Sequence, residues 1–164
     1  KLILYTTRPI RAGEEEGVQY YFTDDSRLEE FKKSGKLIEA RAYHTVHGIW
    51  TYFTADDGQV DLSEGNYLGI GTLESYQKLK QYYGEEHVIP VYIEVEDGER
   101  LQRALLRERE QEKPKYEEMC RRFLADQEDF SEENIREAGI KLRFANENLE
   151  LCVENIIKYI NSLS

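Results

Sequence analysis

Two arginines three apart, Arg8 and Arg11, stand in TTRPIRAGEEEGVQYYF (residues 6–22), beside three consecutive glutamates and Tyr20. Pro9 between them fixes its own φ and pushes Arg8 toward an extended backbone, which makes a stiff platform. Each guanidinium is a planar fork that can hold two oxygens of a phosphate side by side. Tyr20 adds a neutral hydroxyl donor. Two solvated arginines in a surface loop would have the same spacing, and spacing alone leaves both readings open.

A second set of arginines follows later. Arg103 and Arg107 are four apart and share a helix face, Arg109 follows, and Arg121 and Arg122 sit on the next helical stretch. Arginines converging from two helices can neutralise a transferring phosphoryl group, which depends on positioning and charge rather than covalent help. Helix-surface arginines paired with glutamates are the competing reading. Glu39 stands in a strand-like run, where a carboxylate facing a cavity accepts two N–H donors side by side. Guanine offers such a pair and adenine lacks the amine; a strand-surface acid is the plainer alternative.

Weaker signals carry little. His44 and His47 are three apart, so on a strand they point to opposite faces and make a poor metal pair. DDGQVDLSE (56–64) resembles a calcium loop only in acidity. Gly69-Ile70-Gly71 lacks the third glycine of a phosphate-binding loop. Trp50 reads as hairpin packing.

The 164 residues suffice for one α/β domain with a small inserted lobe. A net charge of −11, from 33 acidic and 22 basic residues, repels nucleic acids and anionic membrane surfaces. No apolar run spans a bilayer. Cys120 and Cys152 lack metal-ligand spacing and read as buried thiols in a reducing compartment, the cytoplasm. The pattern predicts a strand over 1–5, loop over 6–19, helix over 24–35, a hairpin from 37–45 and 49–55, and a polar excursion over 55–66. A short strand at 67–71, a helix from Thr72 to Gly84 and a buried strand over 88–95 follow. Helices begin near Asp97, after Pro114 and at Ser131, then a strand covers 141–145 and an amphipathic helix closes the chain. Strand and helix alternate in the second half, which points to a parallel sheet covered by helices.

Taken in order, these pieces resemble guanylate kinase. TTRPIRAGEEEGVQYYF is close to the family's T-T-R-x-x-R-x-G-E-x-x-G-x-x-Y-x-F. FKKSGKLIE resembles the segment leading to the guanine-reading glutamate, LQRALLRE the lid, CRRF the helix arginine after it, and FANENL the N-x-x-L before the last helix. The resemblance implies an α/β, P-loop NTPase-like three-layer fold: a parallel-sheet core (1–5 and 67–164, with a lid near 107–118) and a GMP-binding β-rich insert (6–66). It implies transfer of the terminal phosphate of ATP, as a Mg2+ complex, to GMP or dGMP. By match, Arg8, Arg11, Tyr20, Glu39, Tyr52 and Thr54 would bind GMP, with Thr54 reading the base carbonyl. Arg8, Arg107 and Arg122 would act on the transferring phosphate, and Arg103, Arg107 and Asn146 would serve ATP and the lid. No protein-held metal, nucleic acid or membrane partner is implied, and the chain would be a monomer or homodimer.

Three departures stand out. Leu4 replaces the serine two positions before T-T-R. Gly69 and Gly71 replace the carboxylates of a D-x-D-like strand end. The family's Gly-rich ATP loop lies upstream of the match, after a strand that is central to the family's sheet, and removing that strand would leave two rows of backbone groups unpaired in the core. The expectation is therefore that a strand, a G-x-x-x-x-G-K-[ST] loop and a helix precede Lys1 in the natural protein. Two other readings fit these departures: an inactive guanylate-kinase-like domain that binds phosphorylated partners, and a diverged kinase with another acceptor.

Overall fold

Phe53 has no exposed surface, and the first half of the chain is organised around it. The computed structural model describes residues 1–11, 13–45 and 48–163. These divide into two units, Lys1–Val88 and Ile89–Ser164.

In the first unit, β1 (Tyr5–Thr6), β2 (Tyr21–Phe22), β3 (Leu37–Thr45) and β4 (Gly48–Ala55) form one sheet in the order β2-β1-β4-β3. β1 runs parallel to β2 and antiparallel to β4, and β3 and β4 are the expected hairpin. One face packs Tyr5, Phe53 and Ala55 against Leu28 and Phe31 of α1 (Asp25–Lys33). The Tyr5 and Phe53 rings stack at 5.0 Å, and Phe31 meets Tyr5 edge-on at 5.2 Å. Asp24 caps α1 by accepting from the Arg27 amide. α2 (Leu73–Tyr83) starts at Thr72, whose hydroxyl accepts from the Ser75 amide, and ends at Gly84 with φ +98°, where a glycine is favoured.

A bulge in β3 sets the face on which its side chains lie. Leu37 pairs with Ala55, but Glu39 pairs with Thr54, so two residues of β3 oppose one step of β4. Without the extra residue, Glu39 would follow Leu37 onto the apolar face. The bulge turns it to the other side, where Glu39, Arg41 and Tyr43 lie across from Thr54, Tyr52 and Trp50.

The second unit contains β5 (Tyr92–Glu94), α3 (Asp97–Arg109), α4 (Tyr116–Asp129), α5 (Glu132–Glu137), β6 (Arg143–Ala145) and α6 (Leu149–Asn161). β5 and β6 pair in parallel, as the alternation of strand and helix required. Ile135, Ala138, Ile140, Phe144 and Cys152 are its buried residues. Arg143 of β6 bridges to Glu94 of β5 at 2.8 Å and to Glu132 at the start of α5 at 2.6 Å.

Several strands are shorter than expected. Residues 1–4 are not strand: Ile3 is held by the Gln59 side-chain amide, which donates to its carbonyl and accepts from its N–H at 3.1 and 3.0 Å. Residues 67–71 form no strand either; Leu2 N–H donates to Leu68 O, but no ladder follows, and Ile70 is 76% exposed. The expected buried strand over 88–95 shrinks to 92–94 because Pro90 lacks an N–H and β6 offers only three partners. Its residues are half-buried or exposed. Cys152 is buried as expected, whereas Cys120 is exposed, and both are free. His44 is exposed; Val46 and His47, the other part of the weighed metal pair, lie outside the described residues.

Phe53→Ala is expected to destabilise the chain by about 3–5 kcal/mol, read as a lowered urea midpoint with little change in slope. A loss below 1 kcal/mol would mean the ring is not the centre of this core.

Candidate functional site

Arg8 is the most deeply buried cation of the described residues, at 3% exposure. It follows β1 directly, and the backbone there is pinned: Thr7 N–H donates to Thr51 O, and Thr51 N–H donates to the Thr7 hydroxyl, each at 2.9 Å. A buried charge needs a partner and full hydrogen bonding. Glu14 meets the guanidinium fork side by side, accepting from Nη1 at 2.7 Å and Nη2 at 2.5 Å. Nε donates to the Tyr52 hydroxyl at 3.1 Å, and Nη1 also reaches Pro9 O at 3.0 Å. The rings of Tyr20 and Phe22 lie 5.1 and 5.3 Å from the guanidinium carbon.

The charges answer one another. The hydrogen bond from Arg8, with that from the Arg11 amide, pulls the Glu14 carboxyl down to about 2. The same bond to Glu14 raises Arg8 further. Burial, then the neighbouring Tyr52, pushes the Tyr20 phenol up, so it stays a protonated donor. The Arg11 side chain is exposed and has no hydrogen-bond partner among the described residues. One Nη2 proton of Arg8, the Tyr20 and Tyr52 hydroxyl protons and the Arg11 fork therefore remain for an anion.

The second half of the site is the carboxylate of Glu39, 5% exposed on the hairpin face set by the bulge. Thr54 Oγ1 donates to Glu39 Oε1 at 2.8 Å, and Arg41 Nε donates to Oε2 at 3.0 Å. The single hydroxyl proton of Thr54 is thereby given to Glu39. Arg41 Nη1 continues to the Thr72 hydroxyl at 3.2 Å, tying the hairpin to the start of α2. Glu39 Oε2 keeps one acceptor position for a ligand N–H, and Oε1, whose second contact is Arg41 Nη2 at 3.5 Å, has only that long bond to give up for another. Tyr52 neighbours Thr54 on the same face and contacts Arg8, so anion fork and carboxylate are two ends of one surface.

In the second unit, Arg103 donates to Glu99 at 2.7 Å and to the Asn146 backbone carbonyl at 3.0 Å, which joins two of the expected residues. The Arg107 side chain on α3 is exposed and without an ion-pair partner among the described residues. On α4, Arg122 shares Glu118 with Arg121, at 3.0 and 2.7 Å, and together they pull Glu118 down to about 2. Arg107 and Arg122 meet no common group among the described residues.

Spacing did not reveal Glu14, Arg41 or Thr72. The Glu14–Arg8 pair needs the loop closed. Arg41 was readable, since period two places it beside Glu39. Among the described residues no three His, Cys, Asp or Glu side chains gather as a metal ion would need. At the departure from the D-x-D pattern, a Cβ on Gly71 would meet Ser75 Cβ at 2.9 Å, so the first turn of α2 excludes a side chain there as packed. These residues do not form a magnesium site on the protein side.

The guanylate kinase family model matches residues 2–162. A guanylate kinase of Coxiella burnetii (strain RSA 493 / Nine Mile phase I) is 40% identical over 45 residues, 27% of this chain and 22% of that protein. One of Leifsonia xyli subsp. xyli (strain CTCB07) is 39% identical over 67 residues, 36% of this chain and 25% of that protein. The chain thus matches about a quarter of the length of these curated relatives. The crystal structure of guanylate kinase from Anaplasma phagocytophilum superposes with a TM-score of 0.63 at 20% identity, covering 98% of this chain and 73% of that one. That likeness shows the fold, P-loop NTPase-like α/β.

Glu14 titrates far below the usual carboxylate value of 4.5, so the stability it contributes is complete above 4.5 and is lost as pH falls through about 2. The difference in melting temperature between wild type and Glu14→Gln should shrink steadily across that window. A difference that stays constant would show that Arg8 does not depend on the Glu14 charge.

Proposed function

The chain belongs to the guanylate kinase family, and from that premise we propose that it binds GMP as phosphate acceptor and serves transfer of the terminal phosphate of ATP to give GDP. One observation carries this reading. A buried, hydrogen-bonded fork at the end of β1 and a buried carboxylate on the hairpin lie along one face of the sheet, with Tyr52 between them. A nucleotide is charged at one end and carries paired N–H donors at the other when its base is guanine.

Arg8 and Arg11 hold the acceptor's phosphate, with the Tyr20 and Tyr52 hydroxyls assisting. Charge-assisted bonds from a preset fork hold the anion at a fixed point, which is what phosphoryl transfer requires. Glu39 accepts the ring N–H and the exocyclic amine of guanine, and Thr54 and Arg41 hold its carboxylate in place. Arg103, Arg107 and Arg122 supply lid charges for the transferring phosphoryl group, where charge spreads over three oxygens, and Asn146 supports Arg103 and the ATP side. Magnesium enters with ATP, as its chelate. That reaction belongs to purine nucleotide metabolism, and the two free thiols fit the reducing cytoplasm.

Calorimetry with GMP, dGMP, AMP, UMP and a phosphoserine peptide tests acceptor binding, and coupled turnover with ATP and Mg2+ on the natural protein tests transfer. GMP should bind tightest. Glu39→Gln should weaken GMP by roughly tenfold or more, the size of hydrogen bonds to a charged group, and leave AMP unchanged. Arg8→Met should weaken every nucleotide together. Equal loss of all nucleotides in Glu39→Gln, or a peptide bound more tightly than GMP, would overturn the reading.

A further inference from the structure

Arg41 holds more donors than its neighbours use. Its side chain is 11% exposed and its guanidinium has five N–H groups. Nε goes to Glu39 Oε2, one Nη1 proton goes to Thr72, and Nη2 reaches Glu39 Oε1 only at 3.5 Å. One Nη1 proton and one Nη2 proton have no acceptor among the described residues. Such a fork in a nearly closed place is half satisfied, and half-satisfied buried polar groups are costly.

The free donors sit where a base would need them. Arg41 is two positions from Glu39 on β3, so both side chains lie on one face of the hairpin. Arg41 also lies opposite Tyr52, between the carboxylate and the anion fork. A guanine that gives its ring N–H to Glu39 carries its C6 carbonyl next to that N–H, and N7 beyond it. The carbonyl must then find a donor. The one proton of Thr54 is already given to Glu39. Arg41 is the cation touching Glu39, and an arginine fork fits O6 and N7 of guanine side by side.

Resting on the assignment of Glu39 to guanine, we propose that Arg41 is a second base-reading residue, donating its free N–H groups to O6 and N7 of the purine. Glu39 selects by accepting at positions 1 and 2, and Arg41 selects by donating at position 6. The pair also excludes adenine in two ways. Adenine brings no donor to position 2, and its 6-amine places a donor against a donor. Thr72 anchors the third side of the guanidinium, so the helix start fixes the aim of the fork.

The two readers separate by ligand. IMP lacks only the 2-amine and reports on Glu39; 6-thioguanosine monophosphate weakens only the position-6 acceptor and reports on Arg41. Calorimetry on the full chain should show wild type preferring GMP over each by roughly tenfold, the discrimination of one good bidentate pair. Arg41→Lys keeps a cation against Glu39 and replaces the fork by a single head. In that variant, with its circular dichroism unchanged, the preference for GMP over the 6-thio nucleotide should fall to within about threefold while the preference over IMP persists. If the position-6 preference survives in Arg41→Lys, or if only the preference over IMP is lost, Arg41 merely positions Glu39 and the proposal fails. Equal binding of GMP and IMP by wild type would remove the Glu39 assignment on which it rests.

Discussion

A guanidinium cannot be taken out of water without compensation, and Arg8 sets this requirement for the whole first unit. Satisfying it calls on Glu14 from the loop, Tyr52 from β4, Pro9 from the adjacent backbone, and the rings of Tyr20 and Phe22. Those groups come from three stretches of chain, so the charge draws the loop over the sheet. The loop has little apolar surface of its own to do this: Ile10 and Val18 are exposed. Its order is electrostatic rather than hydrophobic.

Glu39 poses the mirror problem, and the hairpin solves it with Thr54 and Arg41. Both solutions leave surplus capacity. Arg8 retains a donor and Glu39 retains an acceptor position. The fully buried positions around them (Thr6, Phe53, Thr54) lock the strands that carry both groups. The apolar face packs the core and the polar face gathers the hydrogen-bonding groups, on the same two strands.

Much of this was legible in residue order. Two β-rich runs gave the hairpin, and hydroxyl caps at Thr72 and Ser131 marked helix starts that the structure places at Leu73 and Glu132. The parallel pairing of the second unit followed from alternation. Strands at 1–5, 67–71 and 88–95 were over-read, because apolar composition marks a segment fit for a ladder but not a partner for it. Gln59 taking the role of a strand beside Ile3 is a tertiary event with no local signature. Glu14 was hidden in a run of three glutamates, of which only loop closure singles out one. Arg41 went unread for another reason: period two places it on the same face as Glu39, but a cation in a strand is read first as solvated.

The extra residue between Leu37 and Glu39 makes the hairpin's chemistry a matter of parity. A one-residue insertion or deletion at that step would exchange the two faces wholesale, presenting alanines where Glu39 and Arg41 stand and driving charge into the aromatic core. Lengthening both arms together at the far end leaves every pairing from Glu39 to Tyr43 in step. Lineages descended from such a sequence can therefore vary the hairpin's reach freely, but near its base they must keep an odd residue or lose the polar face and the packing together.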